Sequence, residues 1–562
     1  MYIMIMYIRQ AGGRRTRGDA RLTVHPLGPH PILRHFLARM DFFRLVNASL
    51  GRSREGRLDQ AQALSVLVQN ILLSPAPMYR IAQWAEPIDP AALGLTKEEK
   101  RALNDDRMGR VLDDLASVRG RSLFFRLAVQ IIRGFELDTR RIHHDTTTVT
   151  VHGRYEASLD EPRIIHGFNK DHRPDLKQLV FGLNITADGA VPLSHEVYSG
   201  NRTDDTIHRT NLERLRLLLG RDDFIYVADS KLCTRKNLAY LTQYQGRFVT
   251  VMPRTRAEDR TMRSRLRTGN VRWRRTLALP GPRKDDPPDV YQTTAEARSS
   301  DGFRLIWFRS SQKAALDAAA REAGLRRVEA ELHDLATRLN KGRNKTRTAV
   351  QKKIQAILGP YRPLFRVELG THEVRRIRHL QPGRPKPGAP LRESRSRELV
   401  LAVRRDLSAL RAAARADGVF PLLTNLERES RKEILRIYKD QPYVEKRHAL
   451  FKTELGVAPV YLKKPQRVVG LLHATFLAMM LDALIERSVR QTMKREGIHR
   501  LAVLPEGRMS PTPTTARILE MFSDVAWYEY QGGSEHVVFP VRLKKIQKDL
   551  LKLLGVDARI YR

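Results

Sequence analysis

A single cysteine, Cys233, stands among the 562 residues. That excludes an internal disulfide and any cysteine-based zinc cluster, and it fits a reducing cytoplasm better than a secreted scaffold. Acidic residues are scarce as well: 62 Asp and Glu face 101 Lys and Arg, a formal net charge of +39. Charge of this size repels itself unless a polyanion neutralises it, so nucleic acid is the natural partner. On charge alone, a ribosomal or chromatin-type binder competes with an enzyme. Long apolar runs are missing too. Met1 to Ile8 is far short of the ~20 residues that span a bilayer. Gly470 to Glu486 is also short and contains His473, Asp482 and Glu486, which suits a buried core helix, and no membrane role is expected. The 41% hydrophobic content is enough for a core in each of the roughly three or four compact units that the length suggests.

Residues 1–30 read as a basic, disordered extension. From 31 to 135 apolar residues recur at helical spacing, as in Leu64, Leu67, Val68, Ile71 and Leu72, with Ser74 to Pro77 as a break. This predicts an all-helical domain, in which a turn before MYRIAQWAE could present a recognition helix to DNA. Over 136–253 the pattern turns to β-branched strands: RIHHDTTTVTV, QLVFGLNIT and VPLSHEVYSG as a meander, a helix near Thr206 to Leu219, then FIYVAD, a helix capped by Thr234, and RFVTVMP. Residues 254–416 break this rhythm with Arg- and Pro-rich sequence such as LPGPRKDDPPD and LQPGRPKPGAP, read as exposed loops of an insertion domain. Within it, Leu325, Val328, Leu332, Leu335 and Leu339, then Val350, Ile354 and Ile357, predict a helical hairpin or short coiled coil. Residues 417–500 return to the core and carry Glu445; 501–562 form a C-terminal region.

Three strands, helix, strand, helix, strand, with a meander feeding a right-handed crossover, is the order of ribonuclease H-like folds. The expected class is therefore α/β: a mixed sheet with flanking helices, interrupted by the insertion domain. Asp229 ends an unbroken apolar strand, where ligands of such sheets bind. Asp145 sits in the first strand, which neighbours it in this order. For one acid, a solvated face or a helix cap would be the better reading; two acids in register favour a metal site. Glu445, His448 and Lys452 share one helical face, although Pro442 should break the helix between Tyr438 and Glu445. His143 and His144 point to opposite faces of a strand, which argues against zinc. Lys170, Arg173 and Lys177 suit a phosphate-contacting loop, or simply a solvated basic one.

The chain resembles the DDE transposases of bacterial insertion sequences, in the superfamily founded on insertion sequence four, over nearly its whole length. The resemblance rests on HHDTTTV, GFNKDHRPDLKQLVFGL, SGNRTD, VADSKL and a Tyr-Arg-Glu-Lys signature. At the signature spacings stand Tyr438, Gln441, Glu445 and Lys452, with Gln in place of Arg. It implies Asp145, Asp229 and Glu445 as catalytic metal ligands for two Mg²⁺ ions, for which Mn²⁺ could substitute. It also implies Tyr438, Gln441 and Lys452 as contacts to DNA phosphates. The expected reaction is hydrolysis at terminal inverted repeats followed by attack of the released 3′ hydroxyl on target DNA. A homodimer on double-stranded DNA, in the bacterial cytoplasm and at the nucleoid, is implied as well. A ribonuclease H-like nuclease without strand transfer and an inactive DNA-binding remnant remain alternatives.

Overall fold

The computed structural model describes residues 20–51, 58–155, 161–170, 172–281, 286–379, 391–456, 460, 462–532 and 535–561. Most of the expected basic extension, Asp171 of the basic loop, and 282–285 and 380–390 of the two Pro-rich stretches lie outside these. The chain divides into two compact units, Met1–Phe248 with Arg436–Arg562, and Val249–Leu435.

In the first unit, the stretch expected to be disordered contains a strand, β1 (Arg21–Pro26), paired antiparallel with Ala526–Gly532. Its backbone groups are satisfied by a partner five hundred residues away, and His25 stacks on Trp527 with ring centroids 3.7 Å apart. No local pattern announces such a strand. Helices follow, among them Gln60–Leu73, Asp105–Ala116 and Val118–Gly134. The segment expected to hold a recognition helix is instead a single 3₁₀ turn and the five-residue helix Ile81–Ala85. Gln60–Leu73, Asp105–Ala116 and Val118–Gly134 pack against the helix Pro465–Arg495, which is buried over most of its apolar length. That helix is long and apolar enough to cross a membrane, but here it is the spine of the core. Gly470 makes the packing possible: a Cβ there would stand 2.1 Å from the Leu112 carbonyl oxygen.

The mixed sheet of this unit contains β2 (Arg141–Val151), β3 (Lys177–Thr186), β4 (Pro192–Ser199) and β5 (Ile225–Ala228), in the order β4-β3-β2-β5, and the unit's first segment ends at Phe248 in β6 (Arg247–Val251). Strands β2, β3 and β4 form the antiparallel meander, and β5 runs parallel to β2 after the crossover helix Asp204–Leu219.

The second unit begins within β6 and extends past the expected insertion limits. Val249 to Val251 pair with β13 (Val419–Thr424), which pairs with β10 (Arg304–Ser310); β10 in turn pairs with the short β9 (Ala297–Arg298) and with β8 (Asp289–Thr293), and β8 pairs with β7 (Arg274–Leu279). The predicted helical hairpin is present as Ser311–Thr337 and Arg347–Leu358, joined by Leu325, Val328, Leu332 and Leu335 against Val350, Ile354 and Leu358. What was read as loop around 380–390 is flanked by two fifteen-residue antiparallel strands, β11 (Phe365–His379) and β12 (Leu391–Arg405). The signal was there in the alternation of Phe365, Val367 and Leu369 and of Leu399, Leu401 and Val403, the inward face of a half-buried ribbon.

Candidate active site

Strand β2 is buried from Ile142 to Val151 except at one position, Asp145. The carboxylate is 22% exposed, and its Oδ1 accepts the Thr146 amide at 2.7 Å. The parallel register of β2 with β5 matches Arg141 to Ile225, Ile142 to Tyr226 and His143 to Val227. The pairing stops two residues before Asp145, and Asp229 follows directly on the last residue of β5, so the two acids stand just beyond the paired ends of neighbouring strands. Asp229 caps a short 3₁₀ turn, its Oδ1 accepting the Lys231 amide at 3.0 Å. Both acids thus emerge half-buried from an otherwise dry part of the sheet.

Pro442 opens a new helix, Pro442–Ala449, at a position where its missing N–H costs nothing. The helix Arg431–Lys439 stops short of it, which is the expected break between Tyr438 and Glu445. Glu445 is exposed in the first turn of the new helix. One turn further on, the buried His448 places Nε2 4.0 Å from Asp145 Oδ2. Since residues three apart share a helical face, Glu445 is about one helical turn from the Asp145 contact. After Ala449 the chain passes through a π turn, Leu450–Glu454, so Lys452 leaves the regular face on which it was expected.

The electrostatics tie these groups together. Burial pushes the Tyr438 phenol far above its ordinary ionisation range, and the negative charges of Asp229, Glu445 and Asp145 push it further. His448 is driven the other way, down to about 3, by burial and then by the positive charge of Lys170, with Lys452 adding to it, so it stands beside Asp145 as a neutral imidazole. Lys170 donates to the Thr146 carbonyl at 2.7 Å and to its hydroxyl at 3.0 Å, which holds the ammonium beside Asp145. Among the described residues, no three His, Cys, Asp or Glu side chains stand close enough to form a ready-made metal-binding group.

The other expected DNA contacts divide. Gln441 is not on the surface: it is 5% exposed, faces His143 Nδ1 at 3.1 Å through Oε1, and donates from Nε2 to the His144 carbonyl at 3.0 Å. A side chain used in this way staples the segment before Glu445 to β2. Lys177 donates to the carbonyls of Arg154 and Tyr155, at 2.5 and 2.6 Å, and so secures a loop. Arg173 is exposed but already forked onto Asp175, at 2.9 and 2.7 Å. His143 and His144 lie on opposite faces as expected, His143 against Gln441 and His144 against Asn184 at 3.0 Å. Cys233 is buried.

Sequence reasoning overlooked Arg447. It is buried in the helix of Glu445, with Nη1 2.5 Å from Asp482, Nη2 3.0 Å from Glu486 and Nε 3.1 Å from the Ala190 carbonyl. The cue was faint: two acids four apart inside an apolar run, which need a cation.

Residues 23–129 match the family described as a domain of unknown function, DUF4277. No curated protein matches the chain. Among solved structures, the piggyBac transposase synaptic complex with hairpin DNA is similar at 8% identity, over 85% of this chain and 79% of that one, with a TM-score of 0.36. The Mos1 transposase paired-end complex with left transposon end is similar at 11% identity over 35% and 59%, with a TM-score of 0.14. At these scores a shared fold is not established.

Proposed function

We propose that the chain is a metal-dependent enzyme that cuts and rejoins DNA, a transposase of the DDE type, with Asp145, Asp229 and Glu445 as its working acids. The observation that carries this reading is Asp145, the one position of β2 from Ile142 to Val151 that is not buried, with the His448 imidazole of the Glu445 helix 4.0 Å from its carboxylate. The parallel pairing of β2 with β5, the strands that lead to Asp145 and Asp229, supports it. So does the net charge of +39, which asks for a polyanionic partner.

The donor set suits a hard divalent cation: carboxylate oxygens, no sulfur, and a neighbouring imidazole kept neutral so that it adds no repelling charge. Mg²⁺ sheds water reluctantly and usually takes one or two protein carboxylates together with substrate phosphates, so this reading needs no ready-made cage of acids and has the ion arrive with DNA. When bound, paired Mg²⁺ would supply an activated hydroxide or 3′ hydroxyl and neutralise charge on the leaving oxygen. The chain's own groups do the rest. Asp145 and Asp229, held by backbone amides, fix the donors on rigid strands. Glu445 approaches on a helix that His448 packs beside Asp145, and Lys170 and Lys452 supply positive charge for a scissile phosphate. In this reading the substrates are the terminal inverted repeats of an insertion sequence and a target duplex, with two copies of the chain bringing two ends together.

The test is Mg²⁺-dependent cleavage of a duplex carrying the element's own end, comparing the wild type with Asp145→Asn, Asp229→Asn and Glu445→Gln at matched DNA occupancy. Cutting by the wild type, and a loss in the variants of roughly 10²–10³-fold, the order expected when one charge-stabilising contact to the transition state is removed, supports the assignment. Equal cutting by any one variant removes that residue from the site.

A further inference from the structure

The antiparallel ribbon β11–β12 of the second unit has two unlike halves. Its base is built into a core: Phe365 and Leu399 are buried with the helical hairpin, and Val367, Leu369, Leu401 and Val403 pack against the same cluster. Arg405 locks this half down, forking onto Glu329 at 2.6 and 2.7 Å and onto Glu322 at 2.9 and 3.2 Å. The outer half has no such support. From Thr371 to Arg378 and from Arg392 to Arg397 every residue but Val374 is exposed, on both faces. A free two-stranded ribbon is marginally stable in water, so a bare stretch of this length is a poor structural element by itself.

Its charge makes matters worse for the fold and better for a ligand. The outer half carries Arg375, Arg376, Arg378, Arg392, Arg395 and Arg397 against Glu373, Glu393 and Glu398. The register sets Arg375 directly opposite Arg395 and Arg378 directly opposite Arg392. Like charges across a strand pair are destabilising, and two such pairs fall on opposite faces of one ribbon. Arg375 and Arg395 share Glu393, at 2.6 and 3.2 Å. No ion pair is recorded among the described residues for Arg378, Arg392 or Arg397.

We infer that the outer half of the β11–β12 ribbon is a DNA-binding arm that lies in the major groove of a duplex. A B-form major groove, about 12 Å wide, admits a two-stranded ribbon, and the six residue pairs from Glu373 opposite Arg397 to Arg378 opposite Arg392, at about 3.4 Å per residue, give it a reach of roughly 20 Å. Phosphates lining both walls would neutralise arginines projecting from both faces, which relieves the two cross-strand repulsions. Duplex DNA is the occupant that answers the charge on both faces at once; a second copy of a chain this basic does not. The inference rests on the reading of the chain as a DNA-processing enzyme, but it concerns binding by the second unit and not the carboxylates.

The lone cysteine is buried, which gives a clean probe. The full-length protein carrying Ser396→Cys, labelled there with a benzophenone, is mixed with a duplex in chelator without Mg²⁺ and irradiated. Cross-linking to the duplex, blocked by excess unlabelled duplex, is the expected result. In parallel, Arg375→Ser, Arg378→Ser, Arg392→Ser and Arg395→Ser are combined, and affinity for the same duplex is followed against salt. The slope of log K against log salt should become shallower by roughly 0.9 per arginine removed, with at least about a tenfold loss of affinity near 0.1 M salt. An unchanged slope and affinity, absence of the cross-link, or a change confined to self-association overturns the inference. Because every arm is read without metal, an inactive triad leaves these outcomes untouched, and a failed ribbon leaves the cleavage test standing.

Discussion

Replacing Arg447 by methionine should cost the first unit about 3–5 kcal/mol of stability. Its guanidinium, 8% exposed, sits between Asp482 and Glu486, themselves 7% and 11% exposed in their side chains. Methionine fills most of the volume and removes the charge, leaving two carboxylates in a dry core with one cation, Arg490, 3.2 Å from Glu486 at its outer side. Breaking a buried pair from one side costs about that amount, because the uncompensated charge and not the lost attraction dominates. The same reasoning makes the loss reversible: Arg447→Met combined with Asp482→Asn and Glu486→Gln should recover most of it, since neutral groups of the same shape carry a far smaller desolvation cost. Denaturant unfolding of the wild type, the single and the triple variant measures both steps. The helix of Glu445 loses its anchor in either case, so metal-dependent cutting should stay low in the triple variant even when stability returns. A triple variant no more stable than the single one would refute the argument from buried charge. Full cutting by a restored triple variant would refute the role of Arg447 in positioning that helix.

Gln441→Ala should destabilise the protein by about 1–3 kcal/mol, because it removes the side-chain partner of the buried His143 ring and one hydrogen bond to the His144 carbonyl; affinity for DNA at low salt should stay unchanged, which a direct phosphate contact would not allow. Gly470→Ala should cost about 1–3 kcal/mol from overpacking against the Leu112 carbonyl, read by unfolding. Stability should fall as pH drops from about 6.5 towards 4. Burial holds His30 and His143 down to about 4 and His448 and His473 to about 3. The unfolded chain, titrating near 6.5, therefore binds more protons throughout this window, and each histidine contributes a slope of roughly 1.4 kcal/mol per pH unit. A transition midpoint that is flat over pH 4–6.5 would show that these rings are charged or accessible in the folded state.

Local pattern carries far where one element decides the outcome. The meander and crossover of β2 to β6, the helical hairpin near Leu325 and Val350, and the helix break at Pro442 all follow from periodicity or from a single residue's backbone chemistry, and the structure contains each of them. It was less informative wherever a partner is distant. Strand β1 is a weakly patterned basic stretch until Ala526–Gly532 supplies its hydrogen bonds. The ribbon β11–β12 alternates only over its base, and the Arg-rich outer half hid it among loops.

The amino-acid order by itself determined which side chains could take part in chemistry: Asp145 inside a β-branched run, Asp229 at the end of an apolar one, Glu445 after a helix-opening proline, and an excess of cations. Only the tertiary structure decided which of the companions face outward. Gln441 and Lys177 are polar in sequence and spent on backbone or buried partners in the fold, while Arg447, unremarked in sequence, is the cation that two buried acids require. The reason is physical: composition and spacing fix what a side chain can donate or accept, but whether that capacity is left for a ligand depends on what the fold has already set beside it.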